Sequence, residues 1–124
     1  MNIPILKLRG VLLASIQIDL IDQDALEFQA NVLNKVRESG ALGIIIDITA
    51  LDVVDSFLAR ILNETANMVR LLGTESVICG MQPSVAITLV EMGRELIGVE
   101  TALNLDMAMD KVEDLIAKKF GDRG

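Results

Sequence analysis

The sequence predicts an α/β domain in which a mixed sheet of four to five strands packs against about four helices. Short apolar runs rich in β-branched residues alternate with longer segments whose apolar residues recur at helical spacing. Of the 124 residues, 52% are hydrophobic, which is enough to build a core. Because no linker, low-complexity stretch or solenoid repeat interrupts the alternation, we predict one domain over residues 1–124.

Two short strands come first. The apolar runs at residues 3–8 and 11–16 are separated by Arg9 and Gly10, a pattern typical of two strands joined by a turn. Pro4 has no N–H to donate to a strand ladder. We therefore predict that the first strand lies at an edge of the sheet.

A helix and a buried strand follow. We interpret Asp24 as the N-cap of the helix, with Glu27 reaching back from the third position to complete a capping box. Gly40 is interpreted as a left-handed stop, and the inward face of the helix consists of Ala25, Phe28, Val32, Leu33 and Val36. Residues 43–48 are apolar on both faces, which is typical of a central strand covered by helices.

The second helix is predicted from about residue 55 to 72, and Gly73 ends it. Its apolar residues form one broad stripe, which contains Phe57, Leu58, Ile61, Leu62, Thr65, Ala66, Val69 and Leu72. Residues 76–80 are predicted to form the next buried strand.

Three elements complete the predicted fold. Pro83 begins a short helix, where proline is tolerated, and this helix ends at Gly93 with an inward face of Val85, Ala86, Leu89 and Val90. A weak strand is predicted near residues 99–102. The last helix is predicted from residue 106 to about 119, with Lys118 and Lys119 near its negative end and Val112, Leu115 and Ile116 inside.

The composition excludes several kinds of chemistry. The chain has no histidine and one cysteine, which removes Ser-His-Asp and Cys-His catalysis, imidazole metal ligands and an internal disulfide. Eleven basic and 18 acidic side chains give a formal net charge of −7, which argues against nucleic acid as a partner. Glycine-rich phosphate-binding motifs are absent from the sequence. We expect a protein that is not an enzyme and that uses no cofactor or metal.

The sequence shows neither a membrane span nor an export signal. The longest uncharged run, residues 76–90, is shorter than the ~20 residues that a spanning helix needs. Residues 1–4 lack the basic region and cleavage site of a signal peptide. We expect a cytoplasmic protein without a membrane partner.

The loop before the second helix is the first candidate site. Either Asp55 or Ser56 lies at the helix N-cap, where a serine hydroxyl commonly does no more than stabilise the helix by about 1 kcal/mol. Alternatively, Ser56 accepts a phosphate whose charge of about −1.5 to −2 would stand beside Asp52 and Asp55 and alter the surface that a partner contacts. The residues by themselves favour the capping role.

Asp47 and Cys79 are the other candidates. Asp47 ends a buried strand, as the phosphorylated aspartate of a response-regulator receiver does, but the first strands end without paired acids and no lysine follows residue 99 until Lys111. A magnesium site would therefore lack oxygen ligands, and we interpret Asp47 as a strand-end residue that bonds the loop. Cys79 has apolar neighbours and is predicted to be a buried, unreactive thiol.

Several segments between residues 3 and 115 together resemble the STAS domain of anti-sigma factor antagonists. They are residues 3–8, 13–17, 44–49, 53–57, 77–86 and 100–103, and they include Asp55-Ser56-Phe57. The Asp-Ser pair alone is a weak signal because STAS domains of transporters carry similar loops, whereas the ordered set is specific. Within the family, the chain is most similar to the single-domain scaffold members of the stressosome.

The resemblance implies a STAS fold and a non-enzymatic scaffold and antagonist in a bacterial stress-signalling partner switch. Such a protein assembles with STAS-domain sensor paralogues into a large oligomer, sequesters a serine-protein kinase and releases it after phosphorylation. By match to the family motif, the resemblance implies that Ser56 is the phosphoacceptor. This reverses the preference for a capping role that the residues alone gave. The partner-binding surface then consists of Ser56 with Asp52, Asp55 and Phe57. Residues 17–21 lack the hydroxyl of a second acceptor.

Two alternatives remain open at this point. A free anti-anti-sigma factor of the same fold would act on a kinase without a large assembly. The other alternative is a phosphoryl-receiver or nucleotide-binding module, and a receiver would carry its phosphoryl group on Asp47.

Overall fold

The described part of the chain, residues 3–93 and 99–121 of a computed structural model, contains five strands and four helices. The strands are β1 (Ile5–Leu8), β2 (Val11–Ser15), β3 (Gly43–Asp47), β4 (Glu75–Cys79) and β5 (Glu100–Ala102). The helices are α1 (Asp22–Ser39), α2 (Ser56–Leu71), α3 (Pro83–Glu91) and α4 (Leu105–Gly121). The predicted order of elements is confirmed, while Met1 and Asn2, which entered the expectation about export, lie outside the described residues.

The five strands form one mixed sheet in the order β1-β2-β3-β4-β5. β1 runs antiparallel to β2 across a tight turn in which both Arg9 and Gly10 have positive φ, 52° and 79°. A turn of this kind matches the twist of the two strands that it joins. The other neighbouring strands are parallel, and β1 lies at the edge of the sheet, as predicted.

Helices cover both faces of the sheet. α1, α2 and α3 each connect two neighbouring parallel strands, and right-handed connections that advance in one direction place all their helices on the same face. On that face the larger core cluster combines strand and helix residues, among them Ile44, Ile46, Phe28, Ile61 and Val85. α4 packs on the opposite face, where the smaller cluster includes Ile45, Val77, Ala108 and Val112. β3 is therefore a central strand that is buried on both sides.

α4 lies close to the sheet at Gly43. A Cβ atom at this position would lie 2.7 Å from Cγ2 of Val112 and 3.1 Å from Cδ1 of Ile116. The missing side chain lets α4 lie directly on the start of β3.

The predicted beginning of α1 is wrong. The helix starts at Asp22, with Ile21 as its N-cap, and Asp24 occupies the third helical position. Oδ2 of Asp24 accepts a hydrogen bond from the backbone N–H of Ile21 at 3.4 Å. Asp24 therefore reaches back to the cap, which is the role predicted for Glu27. The reason is that the extended backbone lies at Ile21, three residues earlier than predicted.

Two residues predicted to face inward are exposed, and others are only partly buried. Leu72 is the C-cap of α2 and is 54% exposed, and Val90 is 65% exposed because α3 rests on the sheet through Val85 and Leu89. Leu33 is only partly buried at the edge of the larger cluster. Within residues 3–93 and 99–121, the longest helices are too short or too polar to cross a membrane.

Candidate functional site

The candidate site lies at the carboxyl edge of the parallel strands, in the loop of residues 48–55 that connects β3 to α2. Leu51 and Val54 are 0% and 2% exposed, so their side chains anchor the loop in the core. The backbone N–H of Leu51 donates to the carbonyl oxygen of Ile48 at 3.0 Å and closes a turn. Between the two anchors, Asp52 and Val53 face solvent.

Asp55, and not Ser56, caps α2. Its backbone is extended, with φ −79° and ψ 175°, and its Oδ1 accepts a hydrogen bond from the backbone N–H of Leu58 at 2.8 Å. Ser56 is then the first helical residue, and it is exposed. The capping role that the residues alone favoured for Ser56 is wrong, because the preceding carboxylate already satisfies the free amide.

Phe57 and Arg60 form a contact that is not among the sequence predictions. Phe57 is half-buried against the larger core cluster, and the guanidinium carbon of Arg60 lies 5.2 Å from the centroid of its ring. Nε of Arg60 also lies 3.9 Å from Oε1 of Glu64. Spacings of three and four residues along a helix are the sequence signal for both contacts.

The loop is tied to the neighbouring connection between β4 and α3. Oδ1 of Asp47 accepts hydrogen bonds from the backbone N–H of Thr49 at 3.0 Å and from its Oγ1 at 2.5 Å. Nε2 of Gln82 donates to the carbonyl oxygen of Thr49 at 2.8 Å. The interpretation of Asp47 as a strand-end residue that bonds the loop is confirmed.

Cys79 lies beside this network and is fully buried. Desolvation by burial, and to a lesser extent the nearby Asp47 carboxylate, raise the pKa of its thiol to about 12. The predicted burial of the thiol is confirmed, and with the pKa raised in this way the nucleophilic thiolate is scarcely populated at neutral pH.

The structure thus brings three of the predicted site residues together at the start of α2 and places the fourth in the adjoining loop. Asp55, Ser56 and Phe57 are consecutive at the helix start, and Asp52 is exposed in the segment that leads to them. Lys111, the lysine weighed for a receiver, pairs with Glu100 at 3.2 Å and donates to the carbonyl oxygen of Thr101 at 2.8 Å. Over the described ranges, no three acidic or cysteine side chains are grouped so as to hold a metal ion.

A profile of the STAS domain matches residues 2–108. The chain belongs to the STAS domain family. Its mixed sheet with an antiparallel first pair confirms the predicted STAS fold. A receiver has the strand order 2-1-3-4-5, so the receiver alternative is wrong for this sheet.

Two solved structures of STAS proteins are similar to this chain over nearly its whole length. A serine-to-glutamate variant of RsbS from Moorella thermoacetica is 40% identical with a TM-score of 0.81, and the match covers 93% of this chain and 97% of that one. A subunit in a structure of the stressosome, described as a signal integration and transduction hub, is 43% identical with a TM-score of 0.78, and the match covers 90% and 97%. The predicted similarity to stressosome scaffold proteins is confirmed.

A curated relative is longer than this chain. The RsbT co-antagonist protein RsbRA of Bacillus subtilis (strain 168) is 30% identical over 94 residues, which are 76% of this chain and 34% of that protein. This STAS domain therefore corresponds to about a third of the length of RsbRA.

Proposed function

We propose that this STAS protein is a non-enzymatic scaffold and antagonist that sequesters a serine-protein kinase and releases it when Ser56 is phosphorylated. It assembles with STAS-domain sensor paralogues into a stressosome-like oligomer. The observation that carries the proposal is the similarity to RsbS and to a stressosome subunit, at 40% and 43% identity over 97% of each of those chains.

The position of Ser56 supports its role as the phosphoacceptor. Its side chain is exposed, and Asp55 supplies the helix cap, so a kinase can reach the hydroxyl without disrupting a cap. Leu51 and Val54 hold the preceding loop in the core. A phosphate on Ser56 is therefore presented at one place on the surface.

The charge around Ser56 supports release after phosphorylation. Asp52 and Asp55 are exposed acidic neighbours, and a phosphate adds about −1.5 to −2 charges beside them. A partner that docks on Ser56 and the half-buried Phe57 would then have to desolvate the phosphate or move away from it. A tenfold loss of affinity requires only ~1.4 kcal/mol.

Incubation with a co-encoded serine-protein kinase and ATP, followed by mass spectrometric mapping of the phosphate, tests the acceptor. Ser84→Ala is the matched control, because Ser84 is also exposed and is the second residue of α3. We expect Ser56→Ala to abolish phosphorylation and kinase release, and Ser84→Ala to leave both as in the wild type. A Ser56→Ala variant that still releases the kinase in an ATP-dependent manner would contradict the proposal.

Sedimentation and electron microscopy with and without a sensor paralogue test the scaffold role. We expect a large complex when the paralogue is present. A small species in both samples, combined with phosphorylation of Ser56, would instead favour a free anti-anti-sigma factor of the same fold.

A further inference from the structure

Arg60 is the one basic residue in the sequence between Arg37 and Arg70, and it lies four residues after Ser56. Two contacts hold its side chain, the ring of Phe57 at 5.2 Å and the carboxylate of Glu64 at 3.9 Å. The side chains of Arg60 and Glu64 are 56% and 43% exposed, so solvent weakens their attraction. Its contact with Glu64 is therefore weak enough for an anion of higher charge to displace the carboxylate from the Arg60 guanidinium.

We propose that Arg60 is a positioning residue that leaves Phe57 and Glu64 to bind the phosphate of phosphorylated Ser56. This inference rests on the proposed function, since it requires a phosphate at that serine. Residues four apart on a helix share a face, with Cβ atoms about 5–6 Å apart, and an arginine side chain spans that distance. The guanidinium fork then binds phosphate oxygens through charge-assisted hydrogen bonds.

Glu64 and the phosphate compete for the same guanidinium, and three comparisons favour the phosphate. An acidic residue four positions before a basic one pairs better than the reverse order, and Glu64 follows Arg60 whereas Ser56 precedes it. The phosphate carries about −1.5 to −2 charges against −1 for the glutamate. The 3.9 Å separation from Glu64 is also longer than the roughly 2.7–2.9 Å of a charge-assisted hydrogen bond.

The movement of Arg60 changes the apolar part of the surface as well as its charge. When the guanidinium leaves, the ring of Phe57 loses its cation–π partner and its face becomes accessible to solvent. The carboxylate of Glu64 loses its positive partner at the same time. Phosphorylation of Ser56 thereby alters a patch that extends two turns along α2, from Ser56 to Glu64.

The test installs phosphoserine at position 56 during translation, so no kinase is needed, and follows the phosphate by ³¹P NMR during a pH titration. Three chains are compared: the wild type, Arg60→Gln and Arg70→Gln. Arg70 lies ten residues further along α2, roughly 15 Å away, so its replacement removes the same charge at a distance. A nuclear Overhauser effect between the Phe57 ring and the Arg60 side chain reports the contact that is lost.

We expect the second pKa of the phosphoserine to be lower in the wild type than in Arg60→Gln by about 0.3–0.7 units at low salt. The difference should shrink in high salt, and Arg70→Gln should titrate as the wild type does. The Phe57–Arg60 contact should be present before phosphorylation and absent after it. Equal pKa values in the wild type and Arg60→Gln, equal shifts in both variants, or a persisting ring contact would each overturn the proposal.

The outcome is separable from that of the proposed function. A kinase that does not modify Ser56 would overturn the proposed function, while the titration of the encoded phosphoserine would still show whether Arg60 binds the phosphate. Conversely, if Arg60 does not bind the phosphate on Ser56, only this inference is overturned, and the proposed release of the kinase is unaffected.

Discussion

Gly80 packs directly against Thr49, across the gap between the end of β4 and the loop that leads to α2. Gly80 has a φ of 79°, and a Cβ atom there would overlap Oγ1 of Thr49. The same threonine donates to Asp47, and its carbonyl oxygen accepts from Gln82. The absence of a side chain at Gly80 is what allows these two connections to pack together.

Gly80→Ala should destabilise the protein by about 2–3 kcal/mol, because the new methyl group adds overlap with Thr49 to the strain of a left-handed backbone. Gly93→Ala is the matched control, since Gly93 has a φ of 67° and nothing lies within 4 Å of its position. It should cost only about 1 kcal/mol. Urea denaturation measures both values, and equal losses would show that Thr49 does not restrict position 80.

Asp55→Ala should lower the free energy of unfolding by about 1 kcal/mol, because the N–H of Leu58 loses its acceptor. Asp55→Ser should restore most of the loss, since serine is also a good N-cap. Ser56→Ala should change stability by less than about 0.5 kcal/mol, as expected for an exposed residue that does not cap. Thermal or urea denaturation measures these changes. A larger loss of stability in Ser56→Ala than in Asp55→Ala would show that the serine is the cap.

Cys79 should make the protein less stable as the pH rises above about 9. The thiol titrates near 9.0 when unfolded and near 12 when folded, so between these values the unfolded chain releases a proton that the folded chain keeps. The free energy of unfolding should therefore fall by about 1.4 kcal/mol between pH 8 and pH 10 relative to Cys79→Ala, which has no thiol. Identical pH dependence in the two proteins would contradict the raised pKa.

Gly43→Ala should destabilise the protein by about 1–3 kcal/mol, because the added methyl group would lie 2.7 Å from Cγ2 of Val112. Val112→Ala removes that atom. The loss of unfolding free energy in the double variant should therefore be smaller than the sum of the two single losses by at least about 0.5 kcal/mol. Leu89 lies on the opposite face of the sheet, so Gly43→Ala and Leu89→Ala should be additive. Additive losses for Gly43→Ala and Val112→Ala would show that Val112 of α4 does not restrict position 43.

Hydropathy periodicity was sufficient for the order of the elements, since a residue's position along a strand or helix decides which face it presents. The run at residues 43–48 was recognised as a central strand because it is apolar on both sides, and β3 is buried by helices on both faces. The pattern does not specify how a helix is rotated on the sheet. Val90 was therefore predicted inside, although α3 rests on Val85 and Leu89.

The starts of α1 and α2 depended on backbone geometry that the residue types left open. Asp24 and Glu27 satisfy the capping pattern, yet the extended backbone lies at Ile21 and Asp24 becomes the residue that reaches back. At α2, aspartate and serine are comparable caps, so the sequence could not choose between Asp55 and Ser56. The dihedral angles of Asp55 decided the question.

The sequence by itself determined the α/β class, the family resemblance and Ser56 as the acceptor to test, because these depend on residue types in a fixed order. Only the tertiary structure decided that Asp55 caps α2 and that Arg60 lies over Phe57. The contact of Gly80 with Thr49 exists only once β3 and β4 pair, since the pairing brings together the loops that follow the two strands. Contacts between segments distant in the chain are set by how the elements pack, and a local pattern of residues does not encode that geometry.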